Sequence, residues 1–88
     1  GDEESTIMYY VYVLKSAKDG KLYVGFTEDL EKRFEEHNRG LVNSTKPRRP
    51  LKLIYYEACN VMKDAVAREK ALKTGFGRAY LKRRISEE

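Results

Sequence analysis

The chain has 88 residues, 41% of them apolar and 36% charged, which bounds it to one domain with a single modest core. The lone cysteine, Cys59, excludes an internal disulfide, reads as a small buried hydrophobe and favours a cytoplasmic setting. The longest apolar run, Met8 to Leu14, is too short to cross a bilayer, and the acidic opening "GDEESTI" is the opposite of a secretory signal. Residues 1–7 lack periodicity and precede Met8, so they are expected to be a disordered acidic extension to one domain spanning 8–88. Without Asp2, Glu3 and Glu4 the formal net charge rises from +4 to +7. That sign favours an anionic partner, either nucleic acid or an acidic membrane surface, although it also serves plain solubility.

No internal repeat or linker interrupts the chain. Met8 to Leu14 is nearly continuous in apolar and aromatic residues and predicts a strand covered on both faces. Asp19-Gly20 signals a hairpin turn, and "LYVGF", residues 22 to 26, supplies the returning strand. Thr27 is the expected N-cap of a helix reaching about Arg39, with Glu28 and Asp29 complementing its dipole and Gly40 closing it. A proline-stiffened basic loop, "VNSTKPRRP", leads to a third strand, "LKLIYYEA", over residues 51 to 58. A second helix follows from about Val61 to Thr74, ended by Gly75, and "GRAYLKRRISEE" predicts a short third helix. The order ββαβαα predicts an α+β fold. The expected sheet is three-stranded and antiparallel, with the first strand central and helices packed on it.

Three features ask for a chemical reason. On the first helix His37 joins Leu30, Phe34 and Leu41 on the apolar stripe, with Arg33 one turn before it. A hydrogen-bonded core histidine accounts for this, and so does an anion site built with the guanidinium. On the second helix Glu69 falls among Val61, Met62, Ala65, Val66 and Leu72. A carboxylate there needs an ion-pair partner, a raised pKa or a metal ion, and Arg68 and Lys70 point elsewhere. The third feature is the cluster of tyrosines at 9, 10, 12 and 23. Tyr9 and Tyr55 read as packing, and Tyr10 has no assignment. A two-residue Asp19-Gly20 loop would set Tyr23 across from Ser16. Tyr12 and Tyr23 would then share a face, separated by about 13 Å along the strand.

Tyr10-Val11-Tyr12 and Tyr23-Val24-Gly25, with an eleven-residue interval from Tyr12 to Tyr23, resemble the two tripeptides that name the GIY-YIG nuclease domain. Arg33 and His37 are similar to that family's helix-borne arginine and histidine, and Glu69 to its metal-binding glutamate. Segments such as "YYVYVL", "EHNRG", "STKPRRP" and "REKALKTG" look most like small stand-alone bacterial members related to the nuclease module of the excision-repair protein UvrC. The chain departs at Tyr10, which stands where the family has its first glycine, and it shows no counterpart to the late asparagine of the homing-enzyme branch.

The resemblance implies a divalent-metal-dependent endonuclease acting on DNA. Mg²⁺ or Mn²⁺ would sit on Glu69, Arg33 would neutralise phosphoryl charge, and Tyr12 with His37 would activate water that Tyr23 positions. Lys46, Arg48 and Arg49 in the basic loop, and Lys73, Arg78, Lys82 and Arg83 further on, are suited to phosphate contacts that carry no sequence information. The expected substrate is therefore a flap, a branch or a single strand, in DNA repair or recombination, cut by a monomer that has no membrane role. A partner protein could supply specificity. The rival reading is a nucleic-acid-binding or partner-binding module that keeps the fold without catalysis.

Overall fold

The computed structural model describes residues 7–85. The expected acidic extension lies outside the described residues apart from Ile7, as do residues 86–88 of the expected third helix. Three strands, β1 (Tyr9–Ser16), β2 (Leu22–Thr27) and β3 (Leu51–Cys59), form one antiparallel sheet in the order β2-β1-β3. Three helices, α1 (Leu30–Asn38), α2 (Met62–Leu72) and α3 (Gly75–Arg84), complete the ββαβαα order, with a 3₁₀ turn at Lys46–Arg48. The fold is the α+β arrangement that the sequence predicts, with β1 central.

The uninterrupted apolar run explains that central place. Val11, Tyr12, Val13 and Leu14 are all at most 2% exposed, so both faces of β1 are covered. Val11 and Val13 join Val24, Ala65, Leu72 and Leu81 under α2 and α3. Tyr12 and Leu14 join Leu51, Leu30 and Phe34 under α1. The sheet is thus sandwiched, and each fully buried leucine contributes about 2 kcal/mol of transfer free energy. Cys59 packs half-buried at the margin of the first cluster.

The hairpin corrects the expected register. Tyr23 lies opposite Leu14, and Tyr12 opposite Gly25, so the connection is a four-residue loop, residues 17–20. Its cause is Ser16, whose hydroxyl accepts the backbone N–H groups of Lys18 (3.1 Å) and Asp19 (3.2 Å). The Gly20 N–H then reaches the Ser16 carbonyl (2.8 Å), with Gly20 at φ +73°. The two-position shift brings Tyr12 and Tyr23 together.

The helix boundaries also differ from expectation. Thr27 ends β2, so it is Asp29 that caps α1, accepting from the Lys32 N–H at 3.1 Å. The helix closes in a Schellman arrangement: Gly40, at φ +80°, donates to the His37 carbonyl and Leu41 to the Glu36 carbonyl. Leu41 therefore lies beyond α1 and is 62% exposed, so it is not part of the stripe. On α2, Val61 and Met62 are exposed, and the core-facing residues are Ala65 and Leu72. Gly75 opens α3, whose cap is Thr74, accepting from the Gly77 N–H at 3.2 Å. A Cβ on Gly77 would strike the backbone of Ala71 and Leu72, so the first turn of α3 packs tightly on the end of α2.

A polar network fastens α2 and α3 to β3. Arg68 forks onto Glu57 with two 2.8 Å hydrogen bonds, and the Tyr55 hydroxyl donates to the same carboxylate at 2.5 Å. The Tyr80 ring lies under the Arg68 guanidinium at 4.6 Å, and its hydroxyl is 3.3 Å from that of Tyr55. Tyr55 is thus a hydrogen-bonding residue as much as a packing one, whereas Tyr9 does pack, stacked on Phe26.

Candidate active site

The Tyr12 hydroxyl lies 2.8 Å from His37 Nε2, and His37 Nδ1 lies 2.7 Å from the Thr45 hydroxyl. All three residues are at most 1% exposed. The Thr45 hydroxyl turns toward the Val42 carbonyl at 3.5 Å, so it accepts from Nδ1–H and leaves Nε2 to accept from Tyr12. Local structure sets this row. β1 aims Tyr12 at α1, the third turn of α1 carries His37, and the 3₁₀ turn brings Thr45 beneath the imidazole. Asn38, the next residue on α1, clasps Leu51 through both its backbone N–H and carbonyl, which fixes α1 against the start of β3.

Tyr23 completes a cluster of three rings, its centroid 6.3 Å from Tyr12 and 5.1 Å from His37. It is half-exposed, so it is the phenol of the pair that meets solvent. Arg33 stands beside Tyr12 and also pairs with Glu36 at 3.1 Å. Burial pushes the Tyr12 hydroxyl up to about 12, against the pull of the Arg33 guanidinium. Burial, helped by Arg33, pushes His37 down to about 4. Both groups therefore rest neutral at pH 7.

Glu69 is not locked inside an apolar face. Its side chain is 22% exposed and pairs with Lys73 at 3.1 Å, one turn along α2. Its partner is a lysine four residues on, while Arg68 points elsewhere, as the sequence led us to expect, and pairs with Glu57. The Glu69 charge still reaches Tyr12, where it adds a small opposition to the phenolate. α2 covers the face of the sheet opposite α1, and Tyr23 stands on β2, the edge strand.

A cleft of about 1030 Å³ wraps that same edge, lined by Tyr23, Arg48, Lys73, Arg78 and Lys82 among others. Four of the expected phosphate-binding residues, Arg48, Lys73, Arg78 and Lys82, thus meet in one cleft, whereas Lys46, Arg49 and Arg83 do not line it. Arg49 instead bonds the Lys46 carbonyl at 2.9 Å. A second, shallower recess of about 320 Å³ holds Arg33 and Lys32 with Asp29 and Glu36.

Comparison with known proteins agrees with this fold. A family model described as the GIY-YIG catalytic domain matches residues 8–85. The chain belongs to the GIY-YIG family. It is 42% identical over 80 residues to a UPF0213 protein of Staphylococcus saprophyticus, covering 90% of this chain and 95% of that one. A UPF0213 protein of Bacillus pumilus is 45% identical over 67 residues, or 75% of this chain and 67% of its own length. The solution NMR structure of a UPF0213 protein from Bacillus halodurans superposes with a TM-score of 0.54 at 29% identity, over 85% of this chain and 82% of that one.

Within this GIY-YIG domain the second tripeptide has a clear steric reason for its glycine. A Cβ on Gly25 would collide with the ring and hydroxyl of Tyr12, so only glycine lets β2 pass. Tyr10, at the departure from the family's first tripeptide, makes an edge contact with Tyr56 at 6.1 Å. Thr45 is the site residue that the sequence reading missed. It is a short hydroxyl in an aperiodic loop, and its one signal is its place within the "STKPRRP" segment.

Proposed function

We propose that this domain is a divalent-metal-dependent endonuclease that hydrolyses DNA phosphodiester bonds and selects structure over sequence. The observation that carries the reading is the buried Tyr12–His37–Thr45 row opening through Tyr23 onto a basic cleft. Free phenolate at Tyr12 would cost about 7 kcal/mol at pH 7 when the pKa stands five units higher. A concerted transfer avoids it. Water yields its proton to the Tyr12 oxygen as Tyr12 passes its own to His37 Nε2, while Nδ1–H stays on Thr45. The water oxygen bonds to phosphorus and a nucleoside oxygen departs, with Arg33 countering the charge on the phosphoryl oxygens. Tyr23, at the solvent side, orients the water.

Among the described residues no three His, Cys, Asp or Glu side chains converge as a metal cage. Glu69 suits Mg²⁺ or Mn²⁺ in another way, since such ions take one or two carboxylates and complete their shell with water and phosphate oxygens. When bound, the cation would polarise the scissile phosphate and offset charge on the leaving oxygen. Lys73, which pairs with Glu69 in this structure, would then be available to the nucleic-acid backbone. Arg48 and Arg78 follow the strand in the cleft, and Lys46 and Arg49 extend the contact along the loop. A cytoplasmic monomer working in repair or recombination suits these features, with a partner protein choosing the target.

The burial of Tyr12 and the Glu69–Lys73 pair also favour a second reading, a silent nucleic-acid-binding module. Cleavage of a labelled flap, a branched junction and single-stranded DNA with Mg²⁺ or Mn²⁺, by the protein and a folded Glu69→Ala variant, separates the two. Metal-dependent cutting that the variant loses supports the nuclease. Binding without cutting by either protein supports the silent module, and equal cutting by both removes Glu69 from the site.

A further inference from the structure

The Glu36 carboxylate meets Arg33 across one turn of α1. Its Oε1 lies 3.1 Å from Arg33 Nη1, and both residues line the recess of about 320 Å³. At about 100° of rotation per residue, Arg33 stands between Glu36, about 60° to one side, and His37, about 40° to the other. Helical side chains lean toward the N-terminus, so the carboxylate and the imidazole both reach back over the turn that carries Arg33. The guanidinium thus has Tyr12, the partner of His37, on its inner side and Glu36 on its outer side.

Stability does not ask for this pair. The two side chains are 38% and 29% exposed, and an ion pair so exposed adds little to a fold. The guanidinium does need a holder. Arginine is rich in rotamers, and Glu28 and Asp29 line the same recess as competing carboxylates. Asp29 stands four residues before Arg33 and His37 four after it, so a guanidinium drawn to Asp29 would leave Tyr12. Glu36 is itself anchored, because its carbonyl accepts from the Leu41 N–H at 3.0 Å in the closing turn of α1. It engages one of the five N–H donors of Arg33, which leaves others for Tyr12 and for a phosphoryl oxygen.

We propose that Glu36 is a positioning residue that keeps the Arg33 guanidinium beside Tyr12, ready for the phosphate. The carboxylate acts through Arg33 and does not touch the substrate. Its consequence for catalysis rests on the nuclease reading, whereas the placement of Arg33 is measurable without any cutting.

His37 is the only histidine in the chain, so NMR of histidine-labelled protein follows its titration alone. Burial sets the low pKa of His37, with Arg33 lowering it further and Glu36 raising it. Glu36→Gln and Glu36→Ala both remove the carboxylate charge, but only glutamine keeps an oxygen for the Arg33 N–H. His37 is therefore expected to titrate at lower pH in Glu36→Gln than in Glu36→Ala, where Arg33 has moved off. Coincident titrations in the two variants overturn the positioning role. In the flap assay with Mg²⁺ or Mn²⁺, Glu36→Ala is expected to lose about tenfold in kcat at unchanged KM, and Glu36→Gln to recover most of it. Undiminished kcat in Glu36→Ala overturns the role as well, and faster cutting would make the carboxylate a brake on Arg33 instead. No cutting by any of the three proteins removes the nuclease reading, and the two His37 titrations then still decide whether Glu36 holds Arg33.

Discussion

His37 lies neutral between two hydroxyls, and burial holds its pKa near about 4. The unfolded chain takes up a proton on this residue near pH 6.5, at about the unperturbed histidine value, and the native state does so only near 4. Between those values the unfolded state binds more protons, so native stability falls as pH is lowered through the window, by up to about 3 kcal/mol. Urea unfolding at pH 7 and pH 5 should show about 2 kcal/mol of that loss in the protein and a much smaller one in His37→Gln. An equal loss in both would refute the buried-imidazole account. Gly25 makes a second prediction at this scale. Gly25→Ala should destabilise by about 1–3 kcal/mol, because the new methyl overlaps the Tyr12 phenol. In a Tyr12→Ala background the same substitution should cost much less, since the obstacle is gone. Chemical denaturation of the four proteins measures the difference.

At the scale of elements, the helices are fastened in different ways. α1 is held by apolar residues, by the Schellman closure at Gly40 and by Asn38 clasping β3. α3 depends more on charge, since Tyr80 and Arg84 join the Glu57–Arg68 pair. That pair is roughly one-third exposed, so it contributes about 1 kcal/mol at most. Glu57→Gln should therefore loosen α3 without unfolding the sheet. Amide hydrogen exchange should quicken several-fold in α3 and stay slow in β1. Uniform acceleration would mean that α3 and the sheet open as one unit. Arg68 holds the Glu57 carboxyl below its usual range, so this contribution is lost only as pH falls below that range, in a more acid window than His37.

The whole molecule presents a basic cleft round one edge of its sheet, with the ring cluster at the inner wall. Strand order decides this. β2 is an edge strand, so side chains from both faces of the sheet meet beside it, Tyr23 from the α1 face and Lys73 from the α2 face. Arg78, exposed on α3, should contribute one phosphate contact. Arg78→Ala should weaken binding of all DNA forms alike and flatten the slope of log K against log salt by about 0.9 for duplex DNA. Titrations at several salt concentrations measure it, and an unchanged slope would place the strand elsewhere.

The element order, the central β1 and the candidates Tyr12, Tyr23, Arg33 and His37 were legible in the sequence, because each rests on a local pattern. A continuous apolar run needs cover on both faces, and a residue's place on a helix face follows from its spacing alone. What only the tertiary structure decided depends on residues distant in the chain. The Ser16 hydroxyl set the loop length and thereby moved Tyr23 by two positions toward Tyr12. Thr45 became the partner of His37 because the basic loop folds beneath α1, an arrangement that no periodicity announces. The cleft needed β2 at the edge and α2 and α3 on the far face before Arg48, Lys73 and Arg78 could share one wall. Local pattern specifies which side chains a segment presents. The meeting of segments is settled by long-range packing and by hydrogen bonds that buried polar groups must find.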